Sequence, residues 1–223
     1  MTQALQLPLA GYCRPASAQS ASPWLLVLMH GVGSNAEDLF GLAPHIPAQF
    51  HVISLQAPYA MGQNAFAWFQ FSVLPDGSRT IDQEQEAHSR ELVQQTIRAA
   101  SEQLGVPADR VLLGGFSQGG IMSLSLLLTQ PELMQGIVVW HSRLLPEAVV
   151  AQKRVEAFAG KSVWLSHGTQ DNVIPLANAH AIRDHLALLP LDLAYSEYPC
   201  VHTIHPDELR ASMAWLEGLT KGE

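Results

Sequence analysis

Cysteine, charge and long apolar runs are all scarce in this chain, and each shortage excludes something. Two cysteines in 223 residues, Cys13 and Cys200, cannot staple a disulfide scaffold and form no CxxC motif. Charged residues are 14% of the sequence and the AVILMFWYC set 48%, which excludes a disordered chain and leaves material for one large core. Basic residues are the scarcer charged kind, 12 Lys+Arg against 20 Asp+Glu, for a formal net charge of −8. There is no basic excess or stripe to meet a nucleic-acid backbone, and the acidic balance argues against steady docking on anionic membranes. The longest apolar stretches, Trp24 to Met29 and Ile121 to Leu128, fall far short of the roughly 20 residues a membrane-spanning helix needs. Arg14 is the only Lys or Arg among residues 1–30, with no basic segment ahead of an apolar core. No secretory leader and no stable membrane insertion are therefore expected, and a cytoplasmic location is the default.

What is there is organised. The length suits a single domain over 1–223, with 1–23 as an N-terminal strand and loop extension. The Ser/Ala-rich stretch 15–23 reads as a short loop. After it, short apolar runs alternate with longer helical patterns. Strands are expected at 24–29, 51–55, 110–114, 136–140, 161–165 and 193–198, apolar on both parities as strands covered on both faces are. Helices are expected over 82–104, 119–129, 175–188 and 206–219, the last two opening on Pro175 and Pro206 as first helical residues. This alternation predicts an α/β fold with a mostly parallel sheet and helices on both faces. Ligands bind such sheets beyond the C-terminal ends of the strands, so residues just after each strand matter most.

One such position carries chemistry. Gly115-Phe116-Ser117-Gln118-Gly119 is a G-x-S-x-G motif set between a strand and a helix. A strand turning straight into a helix strains the hinge residue and needs small neighbours. The hinge side chain then stands clear of the backbone, over a helix N-terminus that favours a developing oxyanion. Ser117 is the candidate nucleophile.

A serine hydroxyl needs a base, and the base an orienting acid, in the chain order Ser, acid, His. Asp171 follows the strand at 161–165 and stands at the sheet rim, whereas Asp184 and Asp207 fall in helical patterns. Among the histidines after Asp171, His180 and His185 fall on a helix. His202 and His205 lie in the loop after the last strand, where the base belongs. His205 directly precedes Pro206 and suits the helix start, which leaves His202 as the better candidate of the two. Two backbone donors are needed for the oxyanion. Gln118 N–H follows the nucleophile, and Val32 N–H lies in the glycine turn His30-Gly31-Val32-Gly33-Ser34 after an early strand.

His30-Gly-Val-Gly-Ser34, Gly114-Gly-Phe-Ser-Gln-Gly-Gly120, His167-Gly-Thr-Gln-Asp171 with Val173 and Pro175, and the His202 loop together resemble the α/β-hydrolase family of small carboxylesterases, lysophospholipases and acyl-protein thioesterases. The resemblance runs from about Trp24 to Leu219. It implies a single-domain α/β-hydrolase fold without a large cap domain, with Ser117, Asp171 and His202 catalytic and Val32 and Gln118 as oxyanion donors. Three positions bear on the fit. Val201 stands where the family usually has Gly before the catalytic His. Trp68-Phe69 resembles the family's aromatic pair and puts Trp68 at the pocket. Trp140-His141 replaces a small Ser-containing turn, in a segment where Leu144 is the candidate pocket wall.

The expected function is that of a serine carboxylic-ester hydrolase acting on short to medium acyl esters through an acyl-serine. No metal and no organic cofactor are called for. Loops such as 57–77 should cover an open cleft. Lysophospholipids and S-acyl thioesters present the same carbonyl and stay as alternatives. A ligand-binding protein on a hydrolase scaffold is the non-enzyme alternative, and a metal site at His202-Thr-Ile-His205 lacks the helical spacing it needs. Oligomeric state, a homodimer included, is left open.

Overall fold

The computed structural model describes residues 5–75 and 79–221. Along the chain run β1 (Gly11–Arg14), β2 (Trp24–Met29), α1 (Ala36–Phe40) and β3 (Phe50–Leu55). Two small antiparallel hairpins follow, β4 (Tyr59–Gly62) with β5 (Ala65–Ala67) and β6 (Phe71–Val73) with β7 (Arg79–Ile81). Next come α2 (Gln83–Leu104), β8 (Val111–Phe116), α3 (Gln118–Thr129), β9 (Gly136–Trp140) and α4 (Pro146–Val150). The chain closes with β10 (Ser162–Gly168), α5 (Ala177–Leu186), β11 (Asp192–Tyr198) and α6 (Pro206–Leu219).

Seven strands form one sheet in the order β1-β3-β2-β8-β9-β10-β11. Only the β1–β3 pair is antiparallel. The two-sided burial expected of these strands has a direct cause in β2. Leu25, Val27 and Met29 enter the core on one face with Val93 and Ile97 of α2 and with α3. Trp24, Leu26 and Leu28 enter the other with Leu39 of α1 and Met213 and Leu216 of α6. Side chains alternate across a strand, so a strand covered on both faces has no polar parity. Each such buried aliphatic side chain contributes about 1.5–3 kcal/mol. All residues of α3 are buried, as fits a helix lying between the sheet and other elements.

Most of the expected elements are present with ends shifted by a few residues. Pro206 is at the start of α6 as expected, but Pro175 lies two residues ahead of α5, on the loop that follows Asp171. The expected covering loop 57–77 is largely built of the β4–β5 hairpin and β6; Gly77 lies outside the described residues. Strand and helix ends meet at one rim of the sheet, where the loops after β2, β8, β9, β10 and β11 converge.

Candidate active site

Ser117 sits between β8 and α3 with φ 54° and ψ −114°, a left-handed backbone that a non-glycine residue adopts only under constraint. The constraint is local packing. A Cβ on Gly115 would collide with the backbone of Gly119, and one on Gly119 with the carbonyl of Met29. The two glycines of the motif therefore let β8, α3 and the end of β2 approach. The turn is pinned by Ser117 N–H donating to the Trp140 carbonyl (3.0 Å) and by Ser142 Oγ donating to the Ser117 carbonyl (2.9 Å).

Residues far apart in sequence close on this serine. His202 Nε2 lies 3.0 Å from Ser117 Oγ, and His202 Nδ1 lies 2.6 Å from Asp171 Oδ2. This spacing suits a His202 that donates from Nδ1 to the carboxylate and accepts from the serine hydroxyl at Nε2. The imidazole also packs against Phe116, ring centroids 4.8 Å apart. Asp171 Oδ1 accepts from the N–H groups of Val173 (2.9 Å) and Ile174 (2.8 Å). Burial raises the cost of its charge, but the hydrogen bonds from His202, Ile174, His141 and Val173 outweigh that and hold the carboxyl below its ordinary value. His205, the other candidate base, faces away. It caps α6, its Nδ1 accepting from Asp207 N–H at 3.2 Å. Val201 fits before His202 because its φ is not positive, so the glycine usual in the family is not required there.

Sequence reasoning missed what lies behind Asp171. His141, fully buried with φ 50°, puts Nδ1 3.0 Å from Asp171 Oδ2 and Nε2 3.2 Å from Glu208 Oε2. Glu208, also fully buried, accepts the His205 N–H at 2.9 Å as part of the α6 capping box. Burial disfavours charge on His141, but Glu208 and then Asp171 lift its pKa above the ordinary histidine value. His167 donates from Nε2 to the Ile174 carbonyl (2.7 Å) and stacks on His141; burial pushes its pKa down. Ligand-type atoms of His141, Cys200 and Glu208 cluster here, and His141 and Glu208 are engaged with each other. The one sequence signal was the departure at Trp140-His141 itself. Trp140 resolves as core packing against Gly114, while His141 turns to the acid.

The loop after β2 stands against the serine, since a Cβ on Gly31 would lie 3.4 Å from the Ser117 Cβ. Its shape is held by Gly33 N–H to the Phe66 carbonyl (2.8 Å) and by His30, whose Nδ1 is 2.7 Å from the Gly31 carbonyl. His30 Nε2 accepts from Ala57 N–H at 3.2 Å, and burial keeps its pKa low, as suits a neutral ring. Val32 N–H finds no hydrogen-bond partner among the described residues. Gln118 N–H is one of the first donors of α3, which helix geometry leaves unpaired. The Gln118 side chain acts elsewhere, accepting from Trp68 N–H and donating to the Phe69 carbonyl, both at 2.7 Å.

That contact corrects one expectation. Trp68 does not line an open pocket. It is 0% exposed, its indole N–H donating to the His30 carbonyl at 2.9 Å, so it supports the glycine turn from beneath. Leu144 is half-buried at the rim and packs on the core. A cavity of about 740 Å³ lies elsewhere, between α6 and the turn at 45–49, and shares no residue with the Ser117 cluster. No described helix is long and apolar enough to cross a membrane.

Known proteins are similar to this chain in sequence and in fold. A protein named acyl-protein thioesterase 1 from Mycosarcoma maydis is 27% identical over 214 residues, covering 86% of this chain and 89% of the relative. The solved esterase PE8 superposes with a TM-score of 0.79 at 26% identity, covering 95% of this chain and 99% of that one. The Bacillus cereus carboxylesterase shares the fold, with a TM-score of 0.78 at 20% identity and 93% coverage of both chains. The family model described as phospholipase/carboxylesterase matches residues 14–219. With a match over nearly its whole length, on a sheet and a strained serine turn of this kind, the chain belongs to the phospholipase/carboxylesterase family of serine ester hydrolases.

Proposed function

We propose that this enzyme hydrolyses short to medium acyl esters, with Ser117 as nucleophile, His202 as general base and Asp171 as the acid that orients it. One observation carries the reading: the unbroken chain Ser117 Oγ to His202 Nε2 (3.0 Å) and His202 Nδ1 to Asp171 (2.6 Å). Ser117 Oγ attacks the ester carbonyl as its proton passes to His202 Nε2. The tetrahedral oxyanion takes hydrogen bonds from Val32 and Gln118 N–H, an effect worth about 3 kcal/mol per donor in other hydrolases. His202 then protonates the leaving alcohol, and an acyl-serine remains. Water attacks the acyl carbon, gives a proton to His202, and the acid leaves with Ser117 Oγ reprotonated. Leu144 forms part of the acyl wall in this reading.

The test is a series of p-nitrophenyl esters of rising acyl length on the parent chain and on Ser117→Ala. A loss of at least about a thousandfold in kcat/KM in the variant is expected, and the preferred length sizes the pocket. Equal rates would remove Ser117 from the reaction. The relatives named acyl-protein thioesterase 1 favour one second reading, an S-acyl thioester substrate. Matched acyl thioesters and oxygen esters of one chain length separate the two by their kcat/KM ratio.

A further inference from the structure

Next to the Asp171 loop lies a polar cavity of about 390 Å³, lined by Arg79, Arg143, Asn178 and residues 172–175. Among the described residues its lining carries two positive charges and no negative one, in a chain with a formal net charge of −8. The size is that of a small-ligand pocket.

The two arginines are held differently. Arg79 is anchored, its Nη2 donating to the Val173 carbonyl at 2.9 Å and its guanidinium 5.3 Å over the Phe71 ring. The half-buried Arg143 guanidinium has neither a hydrogen bond nor an ion-pair partner among the described residues. The carboxylate that attracts it, Glu147, is engaged by Gln83 Nε2 at 3.0 Å. Burial, and then the charge of Arg79, push the Arg143 pKa below its ordinary value. A second anion beside the pair would offset both costs, and the planar guanidinium fork matches an oxyanion in two-point contact.

The cavity also abuts the reacting centre through two separate segments. Arg143 directly follows Ser142, whose hydroxyl holds the Ser117 carbonyl at 2.9 Å. Asn172 directly follows Asp171. Val173 and Ile174, both in the lining, also donate their N–H groups to Asp171 Oδ1.

We propose that Arg143 and Arg79 form a subsite for an oxyanion, a carboxylate or phosphate carried by the ester substrate, so that the enzyme favours anionic esters over neutral ones of the same length. The inference rests on the ester-hydrolase reading of Ser117. The subsite must work against the acidic surface as a whole, which repels anions at long range. Its selectivity is therefore a short-range effect of two guanidinium groups.

Two matched ester pairs test it, because the charged group can sit on either side of the scissile bond. One pair is mono-p-nitrophenyl adipate and p-nitrophenyl hexanoate, the other 4-acetoxybenzoate and phenyl acetate. The readout is the ratio of kcat/KM for the anionic to the neutral member. In at least one pair Arg143→Gln should lower that ratio about 10- to 100-fold, with Arg143→Lys between the two. Arg79→Gln provides a second variant should Arg143→Gln fail to fold. A ratio unmoved by the Gln variants in both pairs overturns the proposal. A second arm needs no turnover: binding of adipate and of inorganic phosphate to Ser117→Ala by calorimetry, with and without Arg143→Gln. Arg143-dependent binding supports the subsite, and the tighter ligand tells which oxyanion it takes. If hydrolysis does not depend on Ser117 while anion binding depends on Arg143, the nucleophile assignment falls and the subsite stands. If hydrolysis depends on Ser117 and neither ratio nor binding responds, the subsite falls alone.

Discussion

The turn around Ser117 and the pocket around Asp171 are a few ångströms apart and are made in opposite ways. The turn is a product of close packing: Gly115 and Gly119 remove two Cβ atoms that would meet the Gly119 backbone and the Met29 carbonyl, and the backbone of Ser117 takes the strain. The pocket is assembled from β9, the loops after β10 and β11, and α6. It joins residues as far apart as His141 and Glu208, 67 positions from one another. A close backbone approach demands glycine at fixed positions, whichever segment is approached, and so writes itself as a motif. Electrostatic constraints act between whatever the fold brings together, and leave no spacing to read.

That contrast can be broken from the pocket side most severely. Asp171→Asn should lower kcat about 10⁴-fold with the fold intact, because the amide no longer selects the imidazole tautomer that accepts the serine proton. A loss below tenfold in steady-state kinetics would mean that His202 is oriented by something else. From the turn side, Gly119→Ala should act on stability first. The added methyl meets the Met29 carbonyl, a backbone atom that cannot swing away, at a cost of about 3 kcal/mol, or a Tm drop of about 10 °C by calorimetry.

The smallest effect sharpens the comparison. His141→Asn keeps a residue that tolerates the positive φ but cannot bridge Asp171 and Glu208. The folded pKa of His141 is raised above 6.5, so its charged contribution is complete below about pH 6.5 and is lost as pH rises through the folded value. The stability gap between parent and variant should be about 2 kcal/mol near pH 6 and narrow toward pH 9. Denaturant melts at both pH values check this, and a gap of constant size would show that His141 is not charged between its two carboxylates.

The parts of the fold that were legible follow the same division. Period and apolar runs located the six parallel strands β2, β3 and β8 to β11 and four helices, because burial on both faces imposes a composition on each strand. The β4–β5 and β6–β7 hairpins, α1 and α4 went unread and the edge strand β1 was not bounded, all being short with little burial to impose a pattern. Ser117, Asp171 and His202 could be placed by order and by position after strands. His202 and His205 both lay in the right loop, and Pro206 was the local hint that His205 starts a helix. Trp68 was misread because an aromatic near a cleft and an aromatic beneath it look alike in one dimension. It is held under the turn by hydrogen bonds to His30 and Gln118, 38 and 50 residues away.

By itself, then, the sequence determined a two-sided parallel sheet, a strained serine at the end of one strand, and an acid and a histidine loop in the right order. These are consequences of close packing and of burial, both of which select residue types in a pattern that can be read along the chain. Only the tertiary structure decided which histidine faces Ser117, that His141 and Glu208 stand behind Asp171, and that Arg79 and Arg143 share one cavity. Those are matters of charge and hydrogen bonding between distant segments, and their energies exist only once the fold has brought the segments together and excluded water from between them.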